Sequence, residues 1–115
     1  GLGDPRRPPV CPFRRRIPHG LLGVAALEAV PTVAIIFGMA IIFYYNDHGP
    51  PHFHVRATGF RAKFDLEELV VAEIEGQMRP QDFARLREWT IRHHAELYAN
   101  WHRARRKEPL LRIED

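Results

Sequence analysis

A chain of 115 residues, 45% hydrophobic and 27% charged, has the length and balance of one globular domain, which argues against wholesale disorder. Its single cysteine excludes a disulfide framework within the chain. The net charge of +3 sits entirely in residues 1–29, where five arginines meet only Asp4 and Glu28, so the basic balance says little about nucleic acid as a partner.

Residues 1–29 read as a Pro/Arg-rich leader. Five prolines remove backbone donors, and residues 1–18 have neither helical nor strand period. Arg14–Arg16 followed by the apolar stretch 20–27 resembles a secretory signal. Continuation through Val33–Tyr45 as a membrane span is interrupted by Glu28 and Pro31. The preferred reading is a true start at Val30-Pro31-Thr32, with valine from a GTG codon. Residues 1–29 are then disordered or foreign to the native protein, and residues 30–115 form a single domain in the cytoplasm.

Val33–Tyr45 is rich in Val, Ile, Phe and Tyr, which favours strand, and Gly38 divides it into two strands or one bent strand. Asn46–Pro51 is a loop of Asx, glycine and two prolines. His52–Ala57 and Phe60–Leu66 alternate about a two-residue turn at Thr58-Gly59. Counting from that turn pairs Phe53 with Phe64 and Val55 with Ala62 on the core side. On the other side His52 meets Asp65, His54 meets Lys63, and Arg56 meets Arg61. Leu69–Ile74 is a further strand ended by Gly76. From Pro80, a stripe recurs at Phe83, Leu86, Thr90, Leu97, Trp101 and Ala104, with His93 filling its gap, the spacing of one long helix with a candidate break at His93-His94. Pro109 stops it, and Leu110–Ile113 is a candidate edge strand. The expected fold is α+β: an antiparallel sheet of four to five strands packed against one long C-terminal helix.

The dense cluster of chemistry-bearing residues is Asp47-His48-x-x-x-His52-x-His54. His52 and His54 share a strand face with Arg56, Arg61, Lys63 and Asp65. Arg56 opposite Arg61 is a like-charge pair that invites an anion or a carboxylate. Three functions compete with a merely solvated face. His52 and His54 serve as acid and base on a phosphodiester, with the cations holding phosphate and Asp65 orienting His52. A metal binds His48, His52 and His54, with Asp47 as a further donor. Or the face docks on RNA or an acidic protein surface. The helix residues have blander readings. His93 is a satisfied histidine between helix and sheet, Trp89 and Trp101 are core anchors, and the basic run Arg103–Lys107 complements a helix C-terminus.

Val30-Pro31-Thr32-Val33, the Gly38 break, Asn46-Asp47-His48-x-Pro50-Pro51-His52-Phe53-His54-Val55 and the ending Glu88-Trp89 … Glu96-Leu97-x-x-Asn100-Trp101 … Pro109-Leu110 carry a resemblance. Over residues 30–113 the chain resembles a small bacterial family, domain of unknown function 4160. That resemblance implies a Met-Pro-Thr start in relatives and membership in two-gene, toxin–antitoxin-like cassettes. The second gene is often another small domain of unknown function, family 2442. It transfers no catalytic residue and no cofactor; the His52–His54 stretch is its hallmark. Many relatives carry polar or basic residues where this chain has Ala34, Ile36 and Ile42. With Tyr44, these make an apolar outer patch suited to a partner or a second copy. The expectation is a small protein that binds the product of an adjacent gene, or itself, and no membrane. The alternatives are a ribonuclease-like toxin using His52 and His54, and a metal-binding module.

Overall fold

A computed structural model describes residues 32–45 and 47–114. The leader, its export-signal reading and the start at Val30-Pro31 lie outside the described residues, whereas Val33–Tyr45, the described part of the membrane reading, holds strands and no helix. Five strands precede two helices: β1 (Thr32–Ile36), β2 (Met39–Ile42), β3 (His52–Ala57), β4 (Phe60–Asp65), β5 (Val71–Gly76), α1 (Pro80–Arg92) and α2 (His94–Arg105). The sheet is an antiparallel meander in the order β1-β2-β3-β4-β5. The fold is α+β, as the sequence predicts.

Two-residue turns fix the register. Phe37 and Gly38 join β1 to β2 with φ of +47° and +79°, the pair of positive angles a type I′ hairpin needs. Gly38 therefore marks a turn between two strands. Gly59, at φ +94°, closes the β3–β4 hairpin, and every pair counted from Thr58-Gly59 is present, from Ala57 opposite Phe60 to His52 opposite Asp65.

β1 departs from the expected parity. Thr32 faces Ile42, but Ala34 faces Ile41, so a bulge at Val33 inserts one residue and reverses the facing of the rest of the strand. Ala34 and Ile36, expected on the outer face, are core residues at 2% and 8% exposure, while Ile35 is turned outward at 65%. Ile42 and Tyr44 are buried. The exposed apolar patch expected from Ala34, Ile36, Ile42 and Tyr44 is thus not present; the large apolar side chains that β1 and its turn expose are Ile35 and Phe37.

Alternation sends Val55, Phe53, Ala62 and Phe64 into the core. Phe53 stacks on Phe64 with centroids 5.3 Å apart and meets the edge of Trp89 at 6.4 Å. Leu86 and Trp89 of α1 and Leu97, Trp101 and Ala104 of α2 complete it. Burying each large apolar side chain is worth about 1.5–3 kcal/mol.

The single long helix is in fact two. A straight helix spanning residues 80–105 would run about 39 Å, whereas a six-residue strand spans only about 20 Å. At His93 the chain leaves helical geometry (φ −112°, ψ +25°), so both halves stay against the sheet. The His93 ring packs 5.2 Å from Trp89 and its Nδ1 pairs with Glu96 Oε1 at 2.7 Å, a structural role. Leu110–Ile113 forms no strand. Asn100 grips Leu111 through both its N–H and its carbonyl, and the Ile113 N–H reaches the Val33 carbonyl at 2.8 Å. These bonds tie the tail to α2 and β1 without a ladder. Among the described residues no helix is long and apolar enough to cross a membrane.

Candidate functional site

The loop ahead of β3 folds back on the strand it feeds. Two prolines fix φ in this loop, and the carbonyls of both serve as acceptors. The Pro50 carbonyl accepts from His52 Nδ1 at 2.8 Å, and the Pro51 carbonyl accepts the Leu66 N–H at 2.9 Å. This return brings Asp47 beneath the β3 histidines. Asp47 Oδ2 lies 2.7 Å from His52 Nε2 and 3.2 Å from His54 Nε2, and its Oδ1 accepts the His48 N–H at 2.9 Å. Asp47, His52 and His54 are all buried, at 6%, 2% and 3%.

Aromatic rings wall the cluster. His52 lies 4.9 Å from Trp101, His54 meets Tyr44 edge-on at 4.8 Å, and the two imidazoles are 5.1 Å apart. Burial alone would push the Asp47 carboxyl up. The hydrogen bonds from His52 and His54 more than offset that and hold it well below the usual carboxylate range. Burial pushes His54 below its ordinary 6.5, against the opposing pull of Asp47. The result is a carboxylate and a neutral His54 side by side. The two ring nitrogens of His52 face the Pro50 carbonyl and Asp47 Oδ2.

The predicted residues separate into two groups. Asp47, His52 and His54 meet; His48 contributes its backbone N–H while its side chain stays exposed. The carboxylate of His52 is Asp47, not the cross-strand Asp65. Asp65 Oδ1 instead accepts the N–H groups of Glu67 and Glu68 at 2.7 Å each, shaping the turn after β4. Arg56, Arg61 and Lys63 lie along the same outer face. Glu73 and Glu75 of β5, absent from the face expected on sequence grounds, lie opposite Lys63 and Arg61 at 3.8 and 3.3 Å. The predicted cationic face is therefore largely charge-balanced. Counting β5 into the sheet by the same alternation would have placed both glutamates there.

A second feature has no counterpart among the expected site residues. Phe37 is 61% exposed at the tip of the β1–β2 hairpin, with the Arg85 guanidinium 4.7 Å above its ring. It borders a cleft of about 390 Å³ that Met39, Phe60 and Arg79 also line.

The family described as a domain of unknown function (DUF4160) matches residues 38–102, more than half of the chain. The chain belongs to this family. The DUF4160 match takes in β2 to β5, α1 and the whole Asp47–His54 cluster, and stops short of β1 and Phe37. Searches of curated proteins and of solved structures give no match.

Proposed function

We propose that the chain is the protein-binding member of a two-protein, toxin–antitoxin-like pair, and that it docks through the β1–β2 hairpin tip. The observation that supports this is Phe37. A bulky residue at φ +47° is strained, and its ring is 61% exposed rather than packed. Ile35, 65% exposed, is a second large apolar side chain uncovered close to the tip. Exposed aromatics with a neighbouring arginine are the usual anchors of protein interfaces. The partner is the small protein encoded beside this chain, offering an apolar pocket for Phe37 and a carboxylate for Arg85.

The ribonuclease alternative draws less support, because His52 and His54 are buried and bound to Asp47 rather than offered to a phosphodiester. An RNA-docking face draws less as well, with Glu73 and Glu75 beside its cations. Co-expression with the neighbouring gene product, followed by size-exclusion chromatography, tests the proposal. A stable complex that Phe37→Asn dissolves supports it. No complex with the wild-type chain removes it. Growth arrest on inducing the chain alone would mark it as the toxic member, and rescue of arrest caused by its neighbour would mark it as the antitoxin.

A further inference from the structure

We infer that Asp47, His52 and His54 form a binding site for a divalent transition metal ion of the zinc class. The inference is independent of the hairpin-tip docking proposed above and concerns the opposite end of β3.

Three observations carry it. The first is convergence: one ligand atom from each residue lies within 4.8 Å of the other two, and all three residues are buried. An ion held by imidazole nitrogen and carboxylate oxygen at about 2.0–2.2 Å sets donor separations of about 3.0–3.5 Å. Asp47 Oδ2 and His54 Nε2 are already 3.2 Å apart, and the 2.7 Å separation from His52 needs to open by only a fraction of an ångström.

The second is the outer shell. A metal-binding histidine characteristically donates its other ring N–H to a carbonyl or carboxylate, which fixes the tautomer and aims the ligating nitrogen. His52 has that partner in the Pro50 carbonyl, 2.8 Å from Nδ1, so Nε2 is left to the ion. Asp47 is likewise oriented, with the His48 N–H on Oδ1 and Oδ2 turned to the histidines.

The third is donor chemistry. Two imidazoles and one carboxylate suit zinc, iron, copper or nickel and not magnesium or calcium, which prefer all-oxygen shells. Three protein donors match the number that open zinc sites use, the remaining position going to water or another small ligand. His48, with its side chain exposed, is not a ligand.

The test uses the full chain, purified without a histidine tag, stripped with chelator and titrated with Co²⁺ or Zn²⁺ alone. The expected result is one equivalent bound, with visible Co²⁺ absorption that Zn²⁺ abolishes. In ¹⁵N-resolved imidazole spectra the signals of His52 and His54 move, while those of the other five histidines (His19, His48, His93, His94 and His102) stay in place. Asp47→Asn and His54→Gln weaken binding more than about 100-fold, beyond the loss typical of an outer-shell change, and His48→Ala leaves it unchanged. Failure of the folded wild-type chain to bind one equivalent overturns the inference. So does stoichiometric binding that moves the other histidines and leaves His52 and His54 unmoved. The wild-type spectra decide the matter even where a substitution in this buried cluster prevents folding.

Discussion

Replacing Phe37 with asparagine separates folding from docking. At φ +47° a non-glycine residue bears about 1–2 kcal/mol of left-handed strain, which asparagine tolerates best. The change also creates Asn-Gly, the favoured pair for a type I′ hairpin. Against that gain stands the Arg85 guanidinium over the ring, worth about 0.5–1 kcal/mol at an exposed site. With the ring 61% exposed, little further packing is lost. The balance is a stabilisation of about 0.5 kcal/mol, or about 2–4 °C in Tm for a domain of this size. Binding moves the other way. Loss of an interface anchor costs about 2 kcal/mol or more, roughly 30-fold in Kd. Urea denaturation and calorimetric titration with the neighbouring gene product read the two effects on the same samples. A variant destabilised by about 1 kcal/mol or more would show that Phe37 is there for packing, and undiminished affinity would show that the tip is not the docking surface. Either result refutes the reasoning.

Three further outcomes rest on the geometry. Gly76→Ala would drive a Cβ into the Gly59 carbonyl oxygen at φ +89°, so the urea midpoint falls by the equivalent of about 2–4 kcal/mol, overpacking and left-handed strain together. Asn100→Ala removes both bonds to Leu111, costs about 2 kcal/mol and speeds tryptic cleavage at Arg112; an unchanged cleavage rate would mean the tail is held by something else. In metal-free protein, stability is fullest above pH 6.5. As pH falls below 6.5 the unfolded chain protonates His54 while the folded chain resists, and below 3.8 the same holds for Asp47. Each leg has a slope of up to about 1.4 kcal/mol per pH unit, and His54→Gln removes the upper one. A flat profile between about pH 7 and 5 would contradict the depressed His54.

The parts legible in the sequence were those with period and punctuation. Thr58-Gly59 leaves no freedom in a two-residue hairpin, so six cross-strand pairs follow by counting. β1 gave no such handle: every residue from Val33 to Phe37 is apolar, alternation is absent, and the bulge that turns Ile35 outward leaves no trace in the pattern. The histidines failed differently. Alternation put them on the outer face, where polar residues usually meet water, and the register proved right. Their burial depends on the loop that carries Asp47 back under the strand and on Trp101 reaching His52 from α2. Neither contact is local in sequence. The helix break was foreshadowed only by the paired histidines, since a stripe of apolar residues continues across a bend as readily as along a straight axis.

The two proposals occupy opposite ends of one strand. Ala40 pairs with Arg56, so the Phe37–Gly38 tip lies beyond the Ala57 end of β3, whereas Asp47 clasps the His52 end. Five residue steps at about 3.3 Å each put about 16 Å of rigid central strand between them. Sites so far apart with no shared partner are expected to contribute additively. Phe37→Asn should therefore leave Co²⁺ affinity unchanged, and Asp47→Asn should leave partner affinity unchanged in any variant that folds. A coupling of about 1 kcal/mol or more in the double mutant would mean that the ion reaches the docking surface through β3. The metal would then regulate the partner rather than merely hold the loop, and the inert ladder between the two ends would be the element to probe next.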